Sequence, residues 1–155
     1  MTIEIVKFYD NIDKLKENIE KIIRHIASKK NLDSNEVSKY LQMLDEYHEK
    51  LNLVKTMNVR KPIELFYENV VISNINPIIN MDDEFIFNKA NELKESEEFE
   101  PHEINILDFI RTIWDLIDDD TKKNIWIYIK TICILSERIN GNCLLFNAIQ
   151  NKKHK

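Results

Sequence analysis

Glycine is almost missing: Gly141 is the only one in 155 residues, where average usage would give about 11. Phosphate-cradling loops, nucleophile elbows and dinucleotide-binding turns need glycine for close backbone approach or positive φ, so this chain cannot build them. Cysteine is scarce too. Cys133 and Cys143 have nine residues between them and no nearby histidines, which is neither a zinc pattern nor a secreted disulfide framework. Only three alanines occur against many Ile, Asn and Lys residues, a bias typical of an AT-rich genome that bears on source and not on mechanism. There is no Asn-x-Ser/Thr acceptor, and Glu4, Lys7, Asp10 and Asp13 interrupt the apolar residues of the N-terminus, unlike a signal peptide. The densest apolar run, Ile125–Leu135, contains Lys130 and falls short of the ~20 residues that cross a bilayer. The expectation is a soluble, non-secreted protein of a reducing compartment.

What is present is helical periodicity. Ile5, Phe8, Ile12, Leu15, Ile19, Ile22 and Ile26 alternate spacings of three and four, which predicts a long amphipathic helix over about 3–29, ~40 Å in length. Asn31-Leu32-Asp33-Ser34 breaks the pattern, and Asp33 with Glu36 resembles a capping box. Val37, Tyr40, Leu44, Tyr47, Leu51 and Val54 form a second heptad run. So short a link predicts an antiparallel hairpin over 3–57, whose apolar seam can pair internally, against the rest of the chain, or with a second copy. Arg60-Lys61-Pro62 ends that unit. A short helix follows through Val71, stopped by Ser73-Asn74-Ile75-Asn76-Pro77. Residues 81–93 suit a helix capped near Asp82, although Phe85-Ile86-Phe87 also passes as strand; helix is preferred. Residues 92–103 are acidic and read as an exposed loop.

Residues 104–139 organise the chain, as two helices either side of Asp118-Asp119-Asp120. Ile106, Leu107, Ile110, Ile113, Trp114 and Ile117 share one stripe. The next helix is apolar nearly all round between Ile125 and Leu135, which predicts a central position enclosed by neighbours. Asn140-Gly141 suits a left-handed C-cap. Residues 143–149 form a last short helix and 151–155 a basic, solvated tail. The fold expected is all-α: one domain over 1–150, with the hairpin packed on a C-terminal bundle of residues 62–150.

Phe109–Ile139, with Ile113-Trp114, Leu116, Thr121-Lys122-Lys123-Asn124-Ile125-Trp126-Ile127-Tyr128-Ile129 and Leu135-Ser136, resembles the C-terminal segment of small uncharacterised helical proteins of giant nucleocytoplasmic DNA viruses. In those proteins a Trp–Leu helix, an acidic turn and a Lys-Lys-x-Ile-Trp-x-Tyr-Leu helix ending in Leu-Ser recur. Met81-Asp82-Asp83-Glu84-Phe85-Ile86-Phe87-Asn88 looks like the acidic-then-aromatic segment that precedes them. The likeness covers residues 63–139 and leaves the hairpin aside; Ile129 departs from the commoner leucine. It implies a viral source and a helical fold, and carries no catalytic residue.

Candidate chemistry is thin. His25 and His48 can be imagined facing each other across the hairpin around a metal, but no ligand spacing accompanies them and structural roles are preferred; His102 and His154 are expected in solvent. Glu95, Glu97, Glu98, Glu100 and Glu103 make a solvated charge run. Asp118–Asp120 have the oxygens a divalent cation wants, yet they stand where a helix needs a cap and favours negative charge, and capping is preferred. Trp114, Trp126 and Tyr128 are either core or an aromatic platform; their helical spacing favours core, with Tyr128 the most exposed. Cys133 lies among isoleucines, where a thiolate is disfavoured. No catalytic, cofactor-binding or metal-ligating residue is assigned, and an enzyme is not expected. Residues 82–120 hold fourteen acids against three bases, and residues 121–155 seven Lys/Arg against Glu137 alone. With so short a basic segment tied to an acidic one, nucleic-acid binding is disfavoured. The function expected is a viral helical interaction or scaffold protein acting in the host cytoplasm or virion, with a protein partner that is a second copy or a host or viral protein. The alternative is a host-factor decoy analogous to poxviral helical bundles.

Overall fold

Thr2 opens the first helix by accepting the Ile5 amide on its hydroxyl, and Asn31, in left-handed conformation at φ 50°, closes it. In the computed structural model, which describes residues 2–95 and 106–153, this is α1, Ile3–Lys30. The side chains of residues 90, 93–95 and 106–110 lie outside that description. Asp33 then caps α2, Ser34–Met57, through the amides of Asn35 and Glu36 at 2.9 and 3.4 Å. The chain is all-α: every regular element among the described residues is helical.

Pro62 sits in the first turn of α3, Lys61–Phe66, where its missing N–H costs nothing. The helix then loosens into a π-turn, Tyr67–Val71, whose Ile72 amide reaches back to the Tyr67 carbonyl. Residues 73–77 do not simply stop the chain, as the sequence suggested. Ile75–Ile79 is a helical turn, α4, with Pro77 near its start, a position that still tolerates proline. α5 covers Asp83–Glu95, with Asp82 receiving the Glu84 amide at 3.0 Å. Phe85-Ile86-Phe87 is therefore helical, and so are Glu92–Glu95; the remainder of the expected acidic loop lies outside the described residues. α6 is Ile106–Leu116 and α7 Asp119–Ile139. α8 extends from Leu144 to Lys153, so residues 151–153 are an exposed last turn of helix and not a tail; His154 and Lys155 are outside the description.

α7 is the central helix. Ile125, Trp126, Ile132, Cys133, Leu135, Ser136 and Glu137 are buried on it, although Ile127 faces solvent. α1 lies along α7 more extensively than along its hairpin partner α2. Ile5, Phe8 and Tyr9 of α1 thus form one core with Ile63, Ile132 and Leu135, and Phe8 meets Phe66 edge-on at 5.8 Å. A second core gathers Tyr67, Val71, Ile78, Phe85, Trp126 and Leu145. A smaller third one, Ile23, Ile26, Val37 and Ile113, ties the far end of the hairpin to α6. The apolar seam of α1 is consequently used inside the chain; that of α2 is used only up to Leu51.

Candidate functional site

Three regions bring unusual groups together. The first is the corner between α7 and α8. Gly141, at φ +78°, donates to the Arg138 carbonyl at 3.0 Å while Asn142 reaches the Glu137 carbonyl at 2.9 Å, the paired bonds of a Schellman stop. A left-handed residue is needed there, and the single glycine supplies it. The reversal carries the start of α8 over Glu137, only 1% exposed, whose carboxylate accepts the amides of Leu145 at 2.8 Å and Phe146 at 3.1 Å. A buried charge is tolerable because two orphan amides of a helix N-terminus face it. Sequence reasoning did not single out Glu137. Its signal was being the lone acid among seven basic residues, set in an apolar run.

The second region is the outer side of the hairpin. Asp13 meets His48 at 2.6 Å, and Lys16 bridges Asp45 at 2.7 Å and Glu20 at 3.0 Å. The hydrogen bonds that Lys16 donates to Asp45 and then to Glu20 raise its ammonium above its ordinary value, and the bond from Lys16 lowers Asp45. Nearer the end, Tyr9 donates its hydroxyl to the Val59 carbonyl at 2.6 Å and Lys55 stands 4.5 Å over its ring; burial raises the Tyr9 phenol. This antiparallel register puts the start of α1 beside the end of α2. There Ile3, Val6, Leu53, Val54 and Met57 are all exposed, Leu53 by 64% and Met57 by 80%.

The third is a cavity of about 220 Å³ enclosed by α1, α2, α5, α6 and α7, lined by Leu15, Ile19, Ile22, Ile23, Tyr40, Met43, Leu44, Tyr47, Ile86, Ile113, Trp114, Ile117, Ile125 and Ile129, and opening partway to the surface. Among the described residues, no charged side chain lines it. Trp114 is only 6% exposed, and its indole N–H has no acceptor among the described residues.

The residues singled out from the sequence do not converge. His48 is occupied by Asp13, and His25 is exposed 12 residues further along α1, about 18 Å at 1.5 Å per residue. Asp118 caps α7 by accepting the Thr121 amide at 2.7 Å, and this contact lowers its carboxyl. Among the described residues, no three His, Cys, Asp or Glu side chains are grouped to hold a metal. Trp114 and Trp126 are core, the latter donating to Asp83 at 3.4 Å, and Tyr128 is half-buried. Desolvation, with Glu137 nearby, pushes the Cys133 thiol up to about 12, while Cys143 is exposed. Lys130 is lowered by burial and then by Lys152 and Lys153 of α8. Among the described residues no helix is long and apolar enough to cross a membrane. Comparison with protein-family models, curated proteins and solved structures finds no match.

Proposed function

We propose that this chain is a non-enzymatic helical interaction protein of a giant DNA virus, working in the host cytoplasm or the virion and associating with a second copy of itself through the open end of its hairpin. The viral source rests on the resemblance of residues 63–139. The association rests on one observation: five large apolar side chains, Ile3, Val6, Leu53, Val54 and Met57, are exposed at the end where α1 starts and α2 stops. Apolar residues scattered singly over a surface need no explanation, whereas a concentration of them signals a contact. Leu53 and Met57 are one helical turn apart and so share a face, the arrangement a helix-on-helix contact uses. The α1 seam is committed within the chain, so the expected contact is narrower than the full heptad faces of both helices.

Sedimentation over a wide concentration range tests this. The wild type should shift from monomer to dimer, and Leu53→Lys with Met57→Lys should stay monomeric with unchanged helical circular dichroism, since both positions are exposed. A strictly monomeric wild type overturns self-association. Recovery of one host protein at near-equal amount from infected-cell extract, lost in the same double variant, would favour the decoy function instead.

A further inference from the structure

The α7–α8 corner fixes the register of the two helices, because Glu137 accepts the amides of Leu145 and Phe146. Lys130 stands seven residues before Glu137, and Lys152 and Lys153 stand seven residues after Leu145 and Phe146. Seven residues are about two turns on either helix, about 10 Å, and return to the same face. As α8 doubles back against α7, three ammoniums are brought to one spot. The same approach is felt by Lys130, which burial and then Lys152 and Lys153 lower. Lys152 is held there from a third element, its Nζ donating to Asn80 Oδ1 at the end of α4 at 3.0 Å. Among the described residues no carboxylate pairs with any of the three; the ion pairs there belong to Lys16, His48 and Lys89. A half-buried lysine is accounted for by its apolar stem, and lysines in a last helical turn by the helix dipole, as with Lys29 and Lys30 of α1. Neither reason calls for Lys130, in the middle of α7, to meet two further cations. Like charges gathered without a counter-charge repel, and relief of that repulsion favours an anion.

We infer that the meeting point of Lys130, Lys152 and Lys153 is a binding site for a compact anion carrying two or more adjacent phosphates, whose oxygens accept from the three ammoniums. A carboxylate brings one charge and two oxygens, whereas each phosphate brings up to about two charges and three acceptor oxygens. The cations converge on a point, and a nucleic-acid strand needs them spread along a face. The site lies on α7 and α8, away from the open end of the hairpin, so it stands whether or not the chain self-associates.

The test titrates sodium triphosphate into the nitrogen-15-labelled full chain at low salt. The backbone amides of Lys130 and of the last turn of α8 should shift saturably, and acetate at the same ionic strength should not move them. Lys152→Gln with Lys153→Gln, at two exposed positions, should weaken binding about tenfold or more, and Lys130→Gln should weaken it too. Lys29→Gln with Lys30→Gln removes the equivalent pair from another helix end and should leave the affinity unchanged. Absence of saturable shifts in the wild type overturns the proposal, whatever becomes of the variants. Equal weakening by the Lys29 and Lys30 double variant overturns it as well, since the effect would then be one of overall charge. Vesicles containing phosphatidylinositol bisphosphate identify the source of the phosphates. Co-sedimentation released by triphosphate assigns them to a lipid headgroup, and anything short of that assigns them to a soluble ligand.

Discussion

The α7–α8 corner and the α1–α2 hairpin are both helix reversals, and they are held by opposite means. At the corner, Gly141 turns the chain, Glu137 holds the amides of Leu145 and Phe146, and Leu145 is fully buried. In the hairpin, Asp13–His48 and Lys16–Asp45 bridge the outer side, partly open to solvent, and beneath them lie only the small core of Ile23, Ile26 and Val37 and an apolar cavity behind Met43 and Leu44. Exposed ion pairs contribute little, whereas buried apolar contacts and charge-assisted bonds to helix amides contribute much. Sequence proximity therefore misleads here: α1 is joined to α2 by three residues yet is anchored on α7. The firm unit is α1 with α7, and α2 is the element laid over it.

The largest effect that would break this contrast is in the core. Trp126→Ala, at a position 2% exposed, should cost about 3–5 kcal/mol in urea unfolding. Met43→Ala in α2 should cost about 2 kcal/mol, because Met43 already borders open space and gives up fewer packing contacts. Equal losses would show that α2 is as tightly held as α7. Next comes the corner. Glu137→Ala leaves two amides without their acceptor and should cost about 1–3 kcal/mol, with Glu137→Gln costing less; amide exchange should accelerate in α8 and not in α2. An unchanged α8 would mean that the reversal is held by the glycine turn alone. The smallest effect belongs to the hairpin ladder. Lys16 holds Asp45 below its ordinary 3.8, so the stabilisation is present above that value and is lost as pH falls through the lower, folded one. Asp45→Asn should flatten stability against pH in this acid window, slightly and only at low salt. An identical acid profile in the variant would remove the ladder from the account.

Much of this was legible locally. The caps at Asp33 and Asp118, the glycine stop and both long helices follow from residues within a turn or two of each other, which is the range over which periodicity and capping act. The π-turn and α4 escape such local reading because residues 67–79 pack against α7 and α8, and Pro77 looks like a stop unless the helix start two residues before it is known. The cavity and the Trp114 donor were not legible at all. Both depend on five helices meeting, and Ile113, Ile125 and Ile129 look the same in a sequence whether they fill a space or line it. That His25 and His48 stand far apart follows only from the register of α1 against α2, which sets His48 beside Asp13.

The pairing of α1 with α7 also sets a schedule. Eighty-eight residues, 31–118, separate the end of one from the start of the other, and at ribosomal rates of roughly 5–20 residues per second this interval takes roughly 4–18 s. By the end of that time the apolar stripe headed by Ile5 and Phe8 has been synthesised together with the part of its cover that holds Ile63 and Phe66, but the part on α7, with Ile132 and Leu135, has not. Until α7 emerges, non-native apolar contacts of that stripe compete with the native one.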